Sequence, residues 1–189
     1  MTEPTNPVPD RPRRLPGDPD RAAMIERMIR VDHAGEHGAV RIYDGQMAVL
    51  KRGPAARAIR HMAAQEKRHL EHFDKLLAER RVRPTVLSPL WDAAGFALGA
   101  ASALMGPKAA MACTVAVEEV IEEHYRHQAE ALGDDDPALK ATIEEFRADE
   151  MGHGETALDY GAKDAPLYDA LSTVVKGGAR LAIWLSTRF

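Results

Sequence analysis

The chain has 189 residues, one domain's worth and enough to bury a real core. Its net charge of −4 argues against a general nucleic-acid binder, and its single cysteine, Cys113, excludes an internal disulfide framework and fits a reducing compartment. Few aromatics and β-branched runs, with much Ala, Glu, Arg and Leu, point to an all-helical protein.

Residues 1–18 are rich in Pro and polar groups and read as a disordered tail ahead of a helical domain over 19–189. Arg11, Arg13 and Arg14 in that tail read as solvated charges. The first 20 residues contain no apolar core segment, so no signal peptide is expected.

Helix 1 is expected to start at Asp18 or Asp20, with Pro19 in the first turn, and to run to about Lys51, where Gly53-Pro54 ends it. Ile29, Glu36, Val40 and Tyr43 fall along one face, so Glu36 points inward. Asp32 and His33, one turn earlier, are candidates for hydrogen bonds to a metal ligand. A polar rim is the alternative, and the preferred one for His33.

Helix 2 begins at Pro54 and carries Ile59, Met62, Glu66, His69, Phe73 and Leu76-Leu77 inward, leaving His61 and His72 on the surface. Pro84 and Pro89 break the chain after it, and Ser88-Pro89 reads as the cap and first turn of helix 3. Helix 3, about 89–105, has no charge between Ala93 and Met105 and is kept slim by Gly95, Gly99, Ala103 and Gly106. It is too short to span a bilayer, which takes about 20 residues. It is a core helix, a dimer face or a segment lying in a membrane surface, where Trp91 and Phe96 suit an interfacial position.

Helix 4 follows Gly106-Pro107 and runs to about Leu132, with Met111, Thr114, Glu118, Glu122 and Tyr125 on one face. Glu118 is the inward carboxylate of VEEVIEEH. Glu122 and Tyr125 are expected to line the approach to it, while Glu119 and Glu123 read as surface or ion-pair residues. Asp136 caps helix 5, Pro137 opens it, and it carries Phe146, Glu150, His153 and Ala157 inward to about Tyr160. Gly152 and Gly154 beside the ligands cost about 1 kcal/mol each against Ala, a cost that close packing or substrate access would explain. Helix 6, about 165–187, is amphipathic. Leu167, Leu171, Val174, Val175, Leu181, Ile183, Trp184 and Leu185 are apolar, and Asp169, Lys176 and Arg180 mark its polar side. It reads as a membrane-surface or partner helix, or as a cap across the bundle.

Two stretches organise this chain, Glu66-Lys67-Arg68-His69 and Glu150-Met151-Gly152-His153. Residues three apart in a helix share a face, so each pair can reach one point beside its helix. Glu36 stands 30 residues before Glu66, and Glu118 stands 32 before Glu150, so Glu…Glu-x-x-His occurs twice at nearly matched offset. A lone Glu-x-x-His is weak evidence, since a solvated helix face produces it often. Two copies with partnered glutamates point to four antiparallel helices aiming six side chains at one place. That is the two-metal carboxylate site of a ferritin-like four-helix bundle, here with two additional apolar or amphipathic helices. Ligands of this kind without thiolate suit iron or manganese better than zinc or copper. Glu66 and Glu150 are expected to bridge two ions, with Glu36 and His69 completing one and Glu118 and His153 the other.

The segments DHAGEHGAVRIYDGQMAVL, QEKRHLEHF, RVRPTVLSPLW, ACTVAVEE and FRADEMGH resemble the demethoxyubiquinone hydroxylases of ubiquinone biosynthesis, over about residues 20–189 and at all six ligand positions. The resemblance implies a di-iron monooxygenase that hydroxylates the ring of polyprenylated demethoxyubiquinol with O₂, holding two iron ions. His124 and Tyr125 match a family pair implicated in electron delivery, the donor being NADH or a reduced quinone. A polyprenyl substrate confined to lipid makes helices 3 and 6 intelligible as an apolar entrance at a membrane surface. The expected location is peripheral, on the cytoplasmic face of a bacterial inner membrane, with a homo-oligomer or a lipid-binding accessory protein as further partners. Iron storage, a manganese catalase and a purely structural bundle are the competing readings. Two apolar helices argue against a storage shell, whose outer faces must be soluble.

Overall fold

The computed structural model describes residues 20–189. The expected tail at 1–18, its arginines and Pro19 lie outside the described residues. Six α-helices make up the architecture: α1 (Arg21–Val49), α2 (Pro54–Arg80), α3 (Ser88–Leu104), α4 (Pro107–Leu132), α5 (Pro137–Asp159) and α6 (Tyr168–Ser186). The Asp20 carboxylate accepts from the Ala23 amide at the start of α1, and Asp136 accepts from Leu139 at the start of α5. Pro54, Pro107 and Pro137 open α2, α4 and α5, where a missing N–H costs nothing.

Two expected boundaries differ. Ser88 is the first residue of α3 rather than its cap; its hydroxyl donates to the Thr85 carbonyl, and the Thr85 hydroxyl accepts from the Leu87 amide. Helix 6 starts later than 165, because Pro166 holds Ala165 extended (ψ 141°) after a 3₁₀ turn at Ala162–Asp164.

The chain is built as two similar halves. Within the first, α2 runs antiparallel to α1, and α3 returns parallel to α1, with Gly95 against Gly38 and Gly99 against Ile42. Within the second, α5 runs antiparallel to α4, and α6 returns parallel to α4 through the pairs Lys176–Glu119 and Arg180–Glu123. The sequence expectation for Glu119 and Glu123 as ion-pair residues holds. Helices α1, α2, α4 and α5 form the bundle, and α3 and α6 lie against α1 and α4.

The α1–α3 contact depends on glycine. A Cβ on Gly99 would overlap the Ile42 carbonyl oxygen, one on Gly45 would overlap that of Phe96, and one on Gly95 would sit 2.9 Å from that of Gly38. Helix α3 is thus pressed backbone to backbone onto α1 on one side. Its other side leaves Leu90, Phe96 and Leu104 exposed. Two apolar clusters fill the bundle, one around Phe73, Tyr125, Ile143 and Phe146 and the other around Tyr43, Ile59, Met62 and Met111. Each supplies one tyrosine to the polar groups between the helices.

Candidate metal centre

Glu36, Glu66, His69, Glu118, Glu150 and His153 come from four helices and converge; none is more than 3% exposed. They form two overlapping ligand groups, Glu36–Glu66–His69–Glu150 and Glu66–Glu118–Glu150–His153. Glu66 and Glu150 belong to both. His69 Nδ1 lies 3.9 Å from Glu66 Oε2 and 3.4 Å from Glu150 Oε1. His153 Nδ1 lies 2.9 Å from Glu66 Oε1 and 3.3 Å from Glu150 Oε2. Each shared carboxylate therefore turns one oxygen to each half.

The remaining atoms test whether cations fit here. Both oxygens of Glu66 and Glu150, Oε2 of Glu36 and Glu118, and Nδ1 of both histidines are buried without a hydrogen-bond partner. An isolated buried carboxylate costs tens of kcal/mol by an idealised solvation estimate. Eight orphaned lone-pair atoms converging on two points fit a pair of cations, and nitrogen and oxygen donors suit iron or manganese.

The surrounding groups fix the ligands in place. Tyr125 donates to Glu36 Oε1, and Tyr43 donates to Glu118 Oε1 at 2.6 Å, so each outer glutamate keeps Oε2 free. His69 Nε2 lies 3.1 Å from Asp149 Oδ2, and His153 Nε2 lies 3.3 Å from Gln65 Oε1. An Nε2–H donated outward leaves the Nδ1 lone pair pointing inward.

Electrostatics follow from burial. Glu66 and Glu118 titrate well above the usual carboxylate range, chiefly through desolvation and then through the neighbouring carboxylates. Glu150 is also raised by burial, against the opposing pull of the nearby His69 imidazole. Burial lowers His69, but the nearby Glu150 and Glu36 carboxylates outweigh that and push it up to about 10. Burial lowers His153.

Beside the centre lies an apolar cavity of about 410 Å³ between α1, α3, α4 and α6, with walls that include Gly35, Gly38, Leu98 and Gly178. Ala39, Ile42 and Val117 also bound a narrow seam that reaches Tyr43 and Glu118.

The family described as "Ubiquinone biosynthesis protein COQ7" matches residues 23–186. The chain belongs to this family. It is 59% identical over 176 residues to a Rhodospirillum rubrum protein named 3-demethoxyubiquinol 3-hydroxylase, covering 93% of this chain and 83% of the relative. It is 51% identical over 170 residues to the human protein named NADPH-dependent 3-demethoxyubiquinone 3-hydroxylase, mitochondrial, covering 88% and 78%. A Saccharomyces cerevisiae protein named 5-demethoxyubiquinone hydroxylase, mitochondrial, is 41% identical over 184 residues, covering 88% and 79%.

Other expected positions depart from the sequence reading. Asp32 does not reach a ligand histidine; its Oδ1 accepts from Gln128 at 2.8 Å and lies 3.2 Å from His124 Nε2. His33 pairs with the exposed Asp74, as the rim reading has it. Glu122 does not line the approach, because Arg147 from α5 pairs with it at 2.6 Å. Gly152 and Gly154 are not there for close packing, since a Cβ on either would meet nothing within 4 Å. Tyr125 is buried, and its partner His124 keeps a side chain 20% exposed.

Sequence reasoning missed Tyr43, Gln65 and Asp149 as supports of the ligands. A signal was present: each outer glutamate is followed seven residues later by a tyrosine, Glu36…Tyr43 and Glu118…Tyr125. Gln65 and Asp149 each stand immediately before a shared glutamate.

Proposed function

We propose that this chain is a di-iron monooxygenase that hydroxylates the ring of polyprenylated demethoxyubiquinol with O₂ in ubiquinone biosynthesis. The observation that carries the reading is the pair of overlapping carboxylate–histidine groups, which share helices α1 and α4 with an apolar cavity. The names of the relatives support the substrate class. Two ferrous ions bound there supply the electrons and open coordination positions that O₂ activation requires.

The chain's own residues do the rest. Glu66 and Glu150, which belong to both groups, would be shared by the two ions, while Glu36 with His69 would hold one and Glu118 with His153 the other. Tyr43 and Tyr125 each occupy one oxygen of an outer glutamate and so keep it from chelating through both. The cavity walls carry almost no polar surface, so they suit a prenyl tail and exclude water, and the closed seam between Ile42 and Val117 has to part for the ring to approach Glu118. His124 and Tyr125 offer a route for electrons from the surface, since their rings are 6.1 Å apart and Tyr125 touches a ligand. NADH or a reduced quinone is the proposed donor; the human relative is named NADPH-dependent.

No helix among the described residues is long and apolar enough to cross a membrane. Leu104, Leu181, Trp184 and Phe189 on and beside α3 and α6 are nevertheless exposed. A peripheral position on the cytoplasmic face of a bacterial inner membrane fits this, with the cavity mouth turned to the lipid that carries the substrate. A second copy of the chain or a lipid-binding accessory protein would suit the same apolar surface. The decisive test is restoration of ubiquinone in cells that accumulate demethoxyubiquinone. The natural chain is expected to restore it, and Glu66→Ala and Glu150→Ala are expected to fail; rescue surviving either change refutes the reading.

A further inference from the structure

The two halves of the centre match in their ligands and differ in one pair of the residues hydrogen-bonded to them. Outer glutamates Glu36 and Glu118 are matched, as are their tyrosines Tyr125 and Tyr43, which cross from the opposite half. The histidines are matched too, and each is held from the facing helix by the residue just before the shared glutamate. At this position one half offers a carboxylate and the other a neutral amide. Asp149 accepts from His69 at 3.1 Å, whereas Gln65 accepts from His153 at 3.3 Å.

We propose that Asp149 and Gln65 are positioning residues that make the two metal sites unequal, so that the Glu36–His69 site binds its ion more tightly than the Glu118–His153 site. The proposal rests on the metal-binding reading above. A carboxylate accepting Nε2–H makes the imidazole a more basic ligand and adds a negative charge one ring away from the ion, while an amide supplies orientation alone. The ligands and the tyrosines that hold the outer glutamates are the same residue types in both halves, so of the groups hydrogen-bonded to the ligands only Asp149 and Gln65 differ. The Asp149 side chain is 36% exposed, so it can be changed without opening the core.

The full-length protein, freed of metal and titrated with Co(II) under nitrogen, provides the test, read by calorimetry and by the Co(II) absorption bands. The natural chain is expected to bind two ions in two resolved steps. Asp149→Asn is expected to weaken the first step by about ten- to a hundredfold, the usual effect of losing such a support. Gln65→Ala should leave the first step unmoved and weaken the second, and Gln65→Glu should tighten the second toward the first. Equal sites that merely repel each other's ions behave differently: either Asp149→Asn or Gln65→Ala then lowers the first step by only about twofold, because the intact site still takes the first ion. That result, or an identical response to both substitutions, overturns the inequality while leaving the metal reading intact. Absence of any Co(II) binding overturns both.

Discussion

Glu66 and Glu150 differ from the other four ligands because each presents an oxygen to both halves of the centre. Replacing either with alanine is expected to reduce bound iron from two ions toward none. Glu36→Ala or Glu118→Ala, which removes a ligand from only one group, should retain close to one ion per chain. Iron measured by elemental analysis on purified protein checks this; equal losses in all four variants would contradict the bridging roles. At this scale the sequence was informative. The six candidate ligands were legible because a helix repeats its face every three to four residues, which ties Glu66 to His69 and Glu150 to His153. Their supports were not, since Asp149 and Gln65 act on a histidine of the other helix.

Among the helices, α3 shows how one element serves two demands. Its glycines bring its backbone onto α1, and this seam bounds the apolar cavity. Gly99→Ala forces a methyl group into the Ile42 carbonyl, and overpacking of a rigid seam costs about 1–3 kcal/mol or more. A lowered urea midpoint with unchanged slope is the expected result, and an unaltered midpoint would refute the close approach. Gly38 is a different case: it lines the cavity, and a Cβ there meets nothing within 4 Å. Gly38→Leu should therefore keep the thermal midpoint and bound iron of the natural chain, while turnover of a long-tailed substrate falls by about tenfold or more. Turnover unchanged in that variant would mean that the tail enters elsewhere. The glycine-rich, charge-free character of helix 3 was visible in the sequence, but core, dimer and membrane readings stayed open. Position removed only the fully buried core reading, with one face of α3 against α1 and the other exposed. Glu122 went the opposite way: its helical face pointed to the site, yet Arg147 on α5 captures it.

For the molecule as a whole, stability, pH and metal are linked through the buried cluster. Glu66, Glu118 and Glu150 titrate higher in the fold than unfolded, so they favour the fold below 4.5 and lose that contribution as pH rises through their raised values. His69 acts in the same sense, stabilising below 6.5 and losing this as pH climbs to about 10. His153 alone opposes them, adding stability above 6.5 that is lost as pH falls through its lowered value. Metal-free protein should accordingly become less stable between pH 6.5 and about 10. Bound cations replace the protons, so the loaded protein should melt higher, and the gap between the two midpoints should widen with pH. Thermal scans of both forms across this window check it; equal midpoints, or a gap that shrinks as pH rises, would contradict the linkage.

By itself the sequence determined the helices, the caps at Asp20 and Asp136 and the inward faces of the six candidate ligands, because capping, periodicity and the Glu-x-x-His spacing are local properties of one segment. Tertiary structure decided which helices face one another. Only that set Tyr43 on Glu118, Tyr125 on Glu36 and Asp149 on His69, and only that left an apolar cavity between α1, α3, α4 and α6. The physical reason is range. A helix fixes where its own side chains point within a turn or two, while partners 75 to 89 residues apart, as in these three bonds, meet only when the whole bundle closes.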